Sequence, residues 1–392
     1  MAEFEHIDPV RELTLRLLRA AIDPRSLSGV EGSGVEGSGA ERSGVERSGV
    51  DGAAVMNYAA LQGITAPVFD GYIALSDNPA TAGDLPPMPD PIKEAWLADR
   101  YRHETLAIAQ RSTAAKMAAT FAQNGLRTYV LKGEVVSECY PVPSHRRTHD
   151  LDCFLLPKNL EEVGLDNGGA WEKGNRLMEN EGIEVSRHFY KHSAIKFPLL
   201  KVENHQFFTP FRGDRNLRRL EILLQSLLKA DPGEDKIDGT DLLRPPVMVS
   251  ALFLLEHAHS HYLLDGLSIR HVLDWTLFWR RHEGEIDGAK FNEYVDGFGF
   301  RTFLDSLDAA GEFILGKREY SSLSQVQARF LDSVLDGMYD HVETPVLKSK
   351  LQTARNIIRS SWRYRTFSTM SMPKAVWLKI FGFFFNPSPT LN

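Results

Sequence analysis

Two aspartates two residues apart, Asp150 and Asp152, interrupt an otherwise apolar segment of the sequence, RRTHDLDCFLL (146–156). In a β-strand, residues i and i+2 project from the same face, so the two carboxylates would lie side by side. Like charges at that separation raise each other's pKa unless a positive group lies between them. A divalent cation supplies that charge, and oxygen ligands favour Mg²⁺ or Mn²⁺. The competing interpretation, which an isolated D-x-D triplet favours, is a strand whose polar face contacts water.

Four further residues could complete such a site. Glu203, in the segment KVENHQFF, offers a third carboxylate if a hairpin brings its strand alongside the aspartates. His205 follows on the same face of that strand and could assist the metal or simply pack beside it. Lys132 and Gly133 end a predicted strand just before a short helix, a position suited to binding phosphates. For Lys132, the competing interpretation is a strand-end lysine exposed to water.

Arginines and histidines elsewhere in the sequence are weaker candidates. Arg146 precedes the aspartates and could bind a phosphate through two hydrogen bonds or form an ion pair with a carboxylate. Arg270 and Asp274 are spaced i, i+4 on a predicted helix and could form an ion pair facing the same cleft. His257 and His261 share that spacing, which two-histidine metal sites use. Since the sequence contains no HExxH motif, we interpret these histidines as polar contacts that line the cleft or join helices.

The elements that must position these residues change period along the chain. Good helix formers dominate residues 54–125, which end at Asn124-Gly125, a typical helix stop. Short segments rich in branched and aromatic residues then predict strands interleaved with short helices over 126–230. Helical patterns return over 231–392. We therefore predict an α+β fold, with a small mixed-sheet core flanked by N-terminal helices and a C-terminal helical domain.

The N-terminal part contains one unusual segment. Residues 28–53 consist of near-copies of a five-residue unit, GVEGS. Glycine and serine at this density make ordering entropically costly, and a period of five suits neither a helix nor a strand. We predict a flexible, low-complexity insertion that separates a first helix, within residues 1–27, from the rest of the chain.

Composition and charge restrict the class of protein. A chain of 392 residues with 43% hydrophobic and 25% charged residues is ordinary for a globular protein, and its net charge of -7 disfavours binding to long nucleic acids. Two cysteines give no disulfide framework and suit a reducing compartment. The N-terminus lacks signal-peptide features, and the most apolar run, AVWLKIFGFFF, is too short for a membrane span. We expect a cytoplasmic protein without a membrane span.

The string YVLKGEVVSECYPVPSHRRTHDLDCFLLP (129–157) resembles the signature of the uncharacterised nucleotidyltransferase-like family, within the DNA polymerase β-type nucleotidyltransferase superfamily. The family pattern is a strand ending in LKG, a Tyr-Pro turn, an arginine and D-[IL]-D on the next strand. The segments KHSAIKF and VENHQFF resemble the family's hairpin, with Glu203 matching the third carboxylate. LLEHAHSHYLLDGLSIRHVLDW is similar to its helical region, and the resemblance covers most of residues 54–316.

The resemblance implies a metal-dependent nucleotidyltransferase in which Asp150 and Asp152 bind Mg²⁺ or Mn²⁺ and Glu203 completes the site or deprotonates the acceptor. A hydroxyl of the acceptor would attack the α-phosphate of a nucleoside triphosphate (NTP) such as ATP and release pyrophosphate. We expect a protein or a small molecule as the acceptor, because the acidic net charge disfavours an RNA end. The residues expected to contact the nucleotide are Lys132, Gly133, Arg146 and Arg270.

One departure from the superfamily leaves alternatives open. Better-studied members carry a Gly-Ser pair at the start of the helix after the first strand, whereas this chain has Lys132-Gly133-Glu134. A lysine replaces a hydroxyl donor only as a point charge. The missing serine favours a catalytically reduced nucleotide-binding or regulatory module, while the three carboxylates favour an enzyme. The same chemistry would also suit a toxin or defence component that modifies RNA or protein.

Overall fold

The structure is a computed structural model that describes six parts of the chain. Most of the predicted insertion at 28–53 and the beginning and end of the segment 1–27 lie outside the described residues. The side chains of 379–385 are not described either. The described ranges are 7–23, 50–159, 169–187, 190–211, 213–338 and 355–385.

A six-stranded mixed sheet forms the centre of the molecule, in the strand order β3-β4-β5-β2-β1-β6. Strands β2 and β5 are parallel, as are β1 and β6, and the other neighbours are antiparallel. The antiparallel β4–β5 pair confirms the predicted hairpin. The strands are β1 (Leu126–Val130), β2 (Asp150–Pro157), β3 (Glu184–Ser186), β4 (His192–Lys196), β5 (Lys201–His205) and β6 (Leu242–Leu243).

Helices precede, interrupt and follow the sheet, which confirms the predicted α+β fold with helical flanks on both sides of a small mixed sheet. Among the described residues, no helix combines the length and apolarity needed to cross a bilayer. The helices are α1 (Pro9–Ile22), α2 (Gly52–Leu61), α3 (Thr65–Ser76), α4 (Asp90–Gln123), α5 (Glu134–Ser137), α6 (Ala170–Asn180), α7 (Arg215–Ala230), α8 (Val247–Leu264), α9 (Ile269–His282), α10 (Gly288–Phe298), α11 (Arg301–Ile314), α12 (Gln325–Leu335), α13 (Ser361–Phe367) and α14 (Met372–Phe385).

Local sequence signals set the ends of several elements. The side chain of Asp214 accepts hydrogen bonds from the backbone N–H groups of Asn216 and Leu217, which caps the start of α7. The long helix α4 ends at Asn124, and Gly125 takes a φ of 76° that turns the chain directly into β1. The helix stop predicted at Asn124-Gly125 is therefore confirmed.

Strand β2 lies between β5 and β1 and has a different covering on each face. Leu155 projects toward α6, so closely that a Cβ on Gly174 would lie 2.3 Å from Leu155 Cδ1. On the opposite face, Phe154 stacks on Phe208 with ring centroids 4.3 Å apart, and Phe208 contacts Phe253 of α8. Because Asp152 shares its face with Phe154, the aspartate pair faces α8.

Candidate active site

The three predicted carboxylates lie on one face of two neighbouring central strands. In the parallel register of β2 and β5, Asp150 lies opposite Lys201 and Asp152 lies opposite Glu203. Asp150 and Asp152 share a face because they are two residues apart, and residues paired across strands project from the same face. The sheet therefore brings the first-strand pair and Glu203 to adjacent positions, although the two strands are far apart in sequence.

Asp152 is buried and strongly paired. Asp152 is only 2% exposed, and its Oδ1 lies 2.9 Å from Nε2 of His205. Burial alone would raise the pKa of Asp152, but the hydrogen bond and charge of His205, together with Lys132 and Lys191, hold that pKa well below its usual range. Asp152 is therefore ionised over the whole physiological range.

Asp150 is compensated much less completely than Asp152. Burial and the neighbouring charge of Asp152 raise the pKa of Asp150, with Glu203 adding to the repulsion and Lys132 opposing it. Among the described residues, none forms a hydrogen bond with its carboxylate. A carboxylate that faces two others and lacks a bonded donor is the kind of group that a cation stabilises.

Glu203 has a basic partner at each of its two oxygens. Its Oε1 lies 2.5 Å from Nζ of Lys201, and its Oε2 lies 3.4 Å from Nε2 of His192 and 3.9 Å from Nε2 of His205. Burial lowers the pKa of Lys201, but the charge and hydrogen bond of Glu203 outweigh burial, so this pKa is raised above its usual value. One oxygen of the predicted third carboxylate thus faces the site, and the other forms an ion pair with Lys201.

These residues include donor atoms suited to a metal ion. His192, Glu203 and His205 each offer a ligand atom, and the three atoms lie within 4.8 Å of one another. The predicted trio of Asp150, Asp152 and Glu203 offers oxygen atoms only, which suits Mg²⁺ or Mn²⁺. Among the described residues, however, the three predicted carboxylates do not form a second such group, since their oxygen atoms do not all lie within 4.8 Å of one another. Metal binding by this trio therefore stays a prediction.

Lys132 follows β1 by two residues and interacts electrostatically with Asp150 and Asp152. It is 7% exposed, and its Nζ lies 3.0 Å from Nε2 of His257 on α8. Burial and the charge of Arg270 lower its pKa, while Asp152, Asp274 and Asp150 act in the opposite direction. Lys132 is therefore a buried cation next to the acidic pair, rather than a lysine exposed to water at a strand end.

Gly133 follows Lys132 and has a φ of 75°, in the left-handed region that favours glycine. This conformation turns the chain from the strand into α5, which spans only Glu134–Ser137. Burial raises the pKa of Glu134, the first residue of this helix. Gly133 is thus required for the turn, and its predicted contact with a nucleotide stays a prediction.

Arg146 forms a buried ion pair with Asp274 of α9. Its Nε lies 2.7 Å from Oδ1 of Asp274, its Nη2 lies 2.8 Å from Oδ2, and the hydroxyl of Tyr140 also donates to Oδ1 at 2.8 Å. Burial lowers the pKa of Arg146, but the charge and hydrogen bonds of Asp274 outweigh burial and raise this pKa above its usual value. Of the two roles considered for Arg146, the structure contains the ion pair, and phosphate binding stays a prediction.

Arg270 forms a longer ion pair with the same carboxylate, that of Asp274. Its Nη1 lies 3.7 Å from Oδ2 of Asp274, so the predicted i, i+4 pair is present but looser than the one formed by Arg146. Burial lowers the pKa of Arg270, and the charge of Arg146 lowers it further, while Asp274 raises it. Arg270 is consequently an incompletely compensated cation in the cluster that contains Lys132.

A row of neutral histidines extends from Lys132 between α8 and α9. The rings of His257 and His261 are 4.5 Å apart, and those of His261 and His271 are 5.7 Å apart. Burial is the main cause that lowers all three pKa values, that of His261 to about 3. Among the described residues, none of the three belongs to the group of potential metal ligands. This arrangement agrees with polar contacts between helices.

Two cavities of about 250 and 310 Å³ lie between α4 and residues 143–149. Gln110, Arg146 and Thr148 line both of them, and His149, which directly precedes Asp150, lines the larger one. Because His149 lines a cavity, the cavities adjoin the end of β2 where Asp150 lies. The three carboxylates themselves do not line either cavity.

Several residues of the site have no signal in the local sequence. The pairs Arg146–Asp274 and Lys132–His257 join residues more than a hundred positions apart. Lys201 was detectable, because it lies two residues before Glu203 and so shares its strand face. For the distant partners, only the packing of α8 and α9 against the sheet brings the groups together.

Comparison with known proteins gives one result. A family model described as an uncharacterised nucleotidyltransferase matches residues 48–307. No curated protein and no solved structure matches the chain. The matched region contains the whole sheet together with α8 and α9, and hence every residue of the site described above.

Proposed function

The chain belongs to the uncharacterised nucleotidyltransferase family, and from this membership we propose that it transfers a nucleoside monophosphate from an NTP to a hydroxyl-bearing acceptor. Family membership supports a transferase in general terms, whereas the ion, the nucleotide and the acceptor are parts of the proposal. The observation that carries it is the register of the sheet, in which Asp152 lies opposite Glu203 with Asp150 on the same face.

Asp150, Asp152 and Glu203 would hold Mg²⁺ or Mn²⁺ in this proposal. When bound, the ion orients the triphosphate and neutralises the charge that develops during transfer. The acceptor oxygen forms a bond to the α-phosphorus, the bond from that phosphorus to pyrophosphate breaks, and the hydroxyl proton leaves. Glu203 either completes the ligand set or takes this proton.

Lys132 and Arg270 supply positive charge for the triphosphate. Lys132 is buried and Arg270 is largely buried. Burial and the charge of Arg270 lower the pKa of Lys132, and burial and the charge of Arg146 lower the pKa of Arg270, so neither cation is fully compensated by the protein. The contact with His257 at 3.0 Å fixes the direction of the Lys132 ammonium. Arg146 contributes indirectly, because it forms the closer ion pair with Asp274. Asp274 therefore neutralises less of the charge of Arg270, whose contact with it is longer.

The acceptor is proposed to bind in the cavities next to Asp150. Their volumes of about 250 and 310 Å³ suit a side chain or a small molecule better than a folded nucleic acid. The net charge of -7 points the same way. A toxin or defence role on protein would use the same chemistry, and a preference for RNA would be a departure from this expectation.

Label transfer from α-³²P NTPs tests the proposal. The full-length protein is incubated with each of the four NTPs, Mg²⁺ or Mn²⁺, and fractionated lysate. We expect labelled acceptor with the wild type and at least about a 100-fold decrease with Asp152→Asn, because several kcal/mol of charge stabilisation depend on the bound ion. Asp305→Asn, an exposed aspartate on α11, is the matched control and should retain activity.

Two results would contradict the enzyme proposal. One is the absence of label transfer in every wild-type reaction together with the absence of metal-dependent NTP binding by calorimetry. The other is equal transfer by the wild type and Asp152→Asn. Metal-dependent binding without transfer would instead support a nucleotide-binding module, which the missing Gly-Ser pair favours.

A further inference from the structure

Three side chains on β4 and β5 place donor atoms around one point. They are His192, Glu203 and His205, whose ligand atoms all lie within 4.8 Å of one another. Oε2 of Glu203 lies 3.4 Å from Nε2 of His192 and 3.9 Å from Nε2 of His205. In a tetrahedral site with metal–ligand bonds of about 2.1 Å, neighbouring ligand atoms are about 3.4 Å apart, which is close to both separations.

The second nitrogen of His205 has the partner that a metal-binding histidine requires. Its Nδ1 lies 3.1 Å from the backbone carbonyl of Phe207, and its Nε2 faces Oδ1 of Asp152. Histidine ligands commonly donate their other N–H to a carbonyl, which fixes the tautomer and leaves the Nε2 lone pair for the metal. In the structure Nε2 donates a hydrogen bond to Oδ1 of Asp152, and a bound cation would take the place of that proton. His205 is fully buried, and Phe253 packs edge-on against its ring.

Neither Lys201 nor Lys132 occupies the donor atoms of the cluster. Lys201 contacts Oε1 of Glu203, the oxygen that points away from the imidazoles. Lys132 is directed at His257. The register leaves Asp150 opposite Lys201, one pleat away from the pair Asp152–Glu203. Asp150 and Asp152 therefore stay outside the three-donor set and are available to the ion that accompanies a nucleotide.

We propose that His192, Glu203 and His205 form a site for a transition-metal ion of the Zn²⁺ type, with a fourth coordination position left open. Mixed imidazole and carboxylate ligands favour such an ion over Mg²⁺, which prefers oxygen ligands alone. The site shares Glu203 with the proposed Mg²⁺ or Mn²⁺ site and differs from it by its two imidazole ligands. The inference rests on the proposed function only for the role of the ion, since binding of the ion itself requires no nucleotide.

Metal titration without nucleotide tests the site. Full-length protein treated with EDTA is titrated with Zn²⁺ or Mg²⁺ by calorimetry, and with Co²⁺ by visible absorption. We expect one equivalent of Zn²⁺ to bind at least about 100-fold more tightly than Mg²⁺, and Co²⁺ to give the intense absorption of a four-coordinate ion. His192→Ala should weaken Zn²⁺ binding at least about 10-fold and leave Mg²⁺ binding unchanged.

A matched histidine variant and a fold check accompany the titration. His282→Ala, at the end of α9, removes an imidazole that is paired with Glu285 and should not alter Zn²⁺ affinity. Circular dichroism establishes that each variant is folded. If His192→Ala does not fold, His205→Gln takes its place, and the wild-type Co²⁺ spectrum decides independently of either variant.

Equal Zn²⁺ affinity in the wild type and His192→Ala would overturn the inference, as would the weak Co²⁺ absorption of a six-coordinate ion. The label-transfer assay separates this failure from a failure of the proposed function. Zn²⁺ bound as expected without any transfer supports the site and contradicts the enzyme. Transfer that depends on Mg²⁺ together with unchanged Zn²⁺ affinity in His192→Ala supports the enzyme and contradicts the site.

Discussion

Asp274 and Asp150 are both aspartates close to buried cations, yet their partners differ. Asp274 accepts two hydrogen bonds from Arg146 and one from Tyr140. Burial raises its pKa, but the charge and hydrogen bonds of Arg146 lower it by more. Asp150 has no such bonds among the described residues, and its pKa is raised by burial and by Asp152. The first carboxylate is satisfied by the fold itself, whereas the second is left to a ligand. This difference separates charges that hold the structure from charges that can bind.

Removal of the paired carboxylate should have the largest effect on stability. Asp274→Asn leaves Arg146 buried without its counter-ion, so we expect the free energy of unfolding to fall by about 3–5 kcal/mol. Urea denaturation followed by circular dichroism measures the change. Asp296→Asn, which breaks an exposed pair with Arg301, is the control and should leave the transition nearly unchanged. A small effect of Asp274→Asn would show that the two aspartates are not different in kind.

The neutral histidines between α8 and α9 are a further set of titratable groups, and acidification tests their effect on stability. Burial lowers the pKa values of His257, His261 and His271 in the folded chain, whereas unfolded histidines bind a proton near pH 6.5. Below that pH the unfolded state binds more protons, so the free energy of unfolding falls as the pH falls. We expect a slope of about 1.4 kcal/mol per pH unit for each histidine that stays neutral.

His257→Gln isolates one contribution to this slope. Glutamine keeps an acceptor for Lys132 but does not titrate, so the pH dependence between pH 6.5 and 5 should become shallower by about 1.4 kcal/mol per unit. Urea denaturation at several pH values in this window measures both slopes. Identical slopes for the wild type and the variant would mean that His257 is protonated in the folded chain.

Asp150→Asn should have the smallest effect on stability and a large effect on function. The neutral side chain removes the repulsion from Asp152 and Glu203, so we expect the free energy of unfolding at pH 7 to stay constant or rise by about 1 kcal/mol or less. Label transfer should be lost. A marked loss of stability, measured as for Asp274→Asn, would indicate that Asp150 is a structural residue like Asp274.

The sequence was sufficient for the parts of this comparison that depend on local pattern. Alternation and turn signals located β1, β2 and the β4–β5 hairpin, and the spacing of Asp150 and Asp152 put them on one strand face. The pairing of Glu203 with Asp152 needed the family resemblance, because a slip of one residue in register moves a side chain to the other face. The two-residue strand β6 has no period that a sequence pattern could reveal.

The partners of the predicted residues could not be read from the sequence. Arg146 could have met a phosphate or a carboxylate, and only the position of α9 against the sheet brings Asp274 to it. Lys132 likewise meets His257 because α8 crosses the same sheet face. These contacts depend on how helices pack over long sequence separations, and residue type alone specifies no partner at that range.

The parallel pairing of β2 with β5 has a consequence for synthesis of the chain. Strand β2 leaves the ribosome well before residues 201–205 exist, so one side of its backbone stays unpaired during that interval. Its residues Cys153–Leu156 are all apolar, and an exposed apolar edge is prone to pair with other chains. Nascent chains that stop before β5 should therefore aggregate or require a chaperone, while chains that include β5 should not.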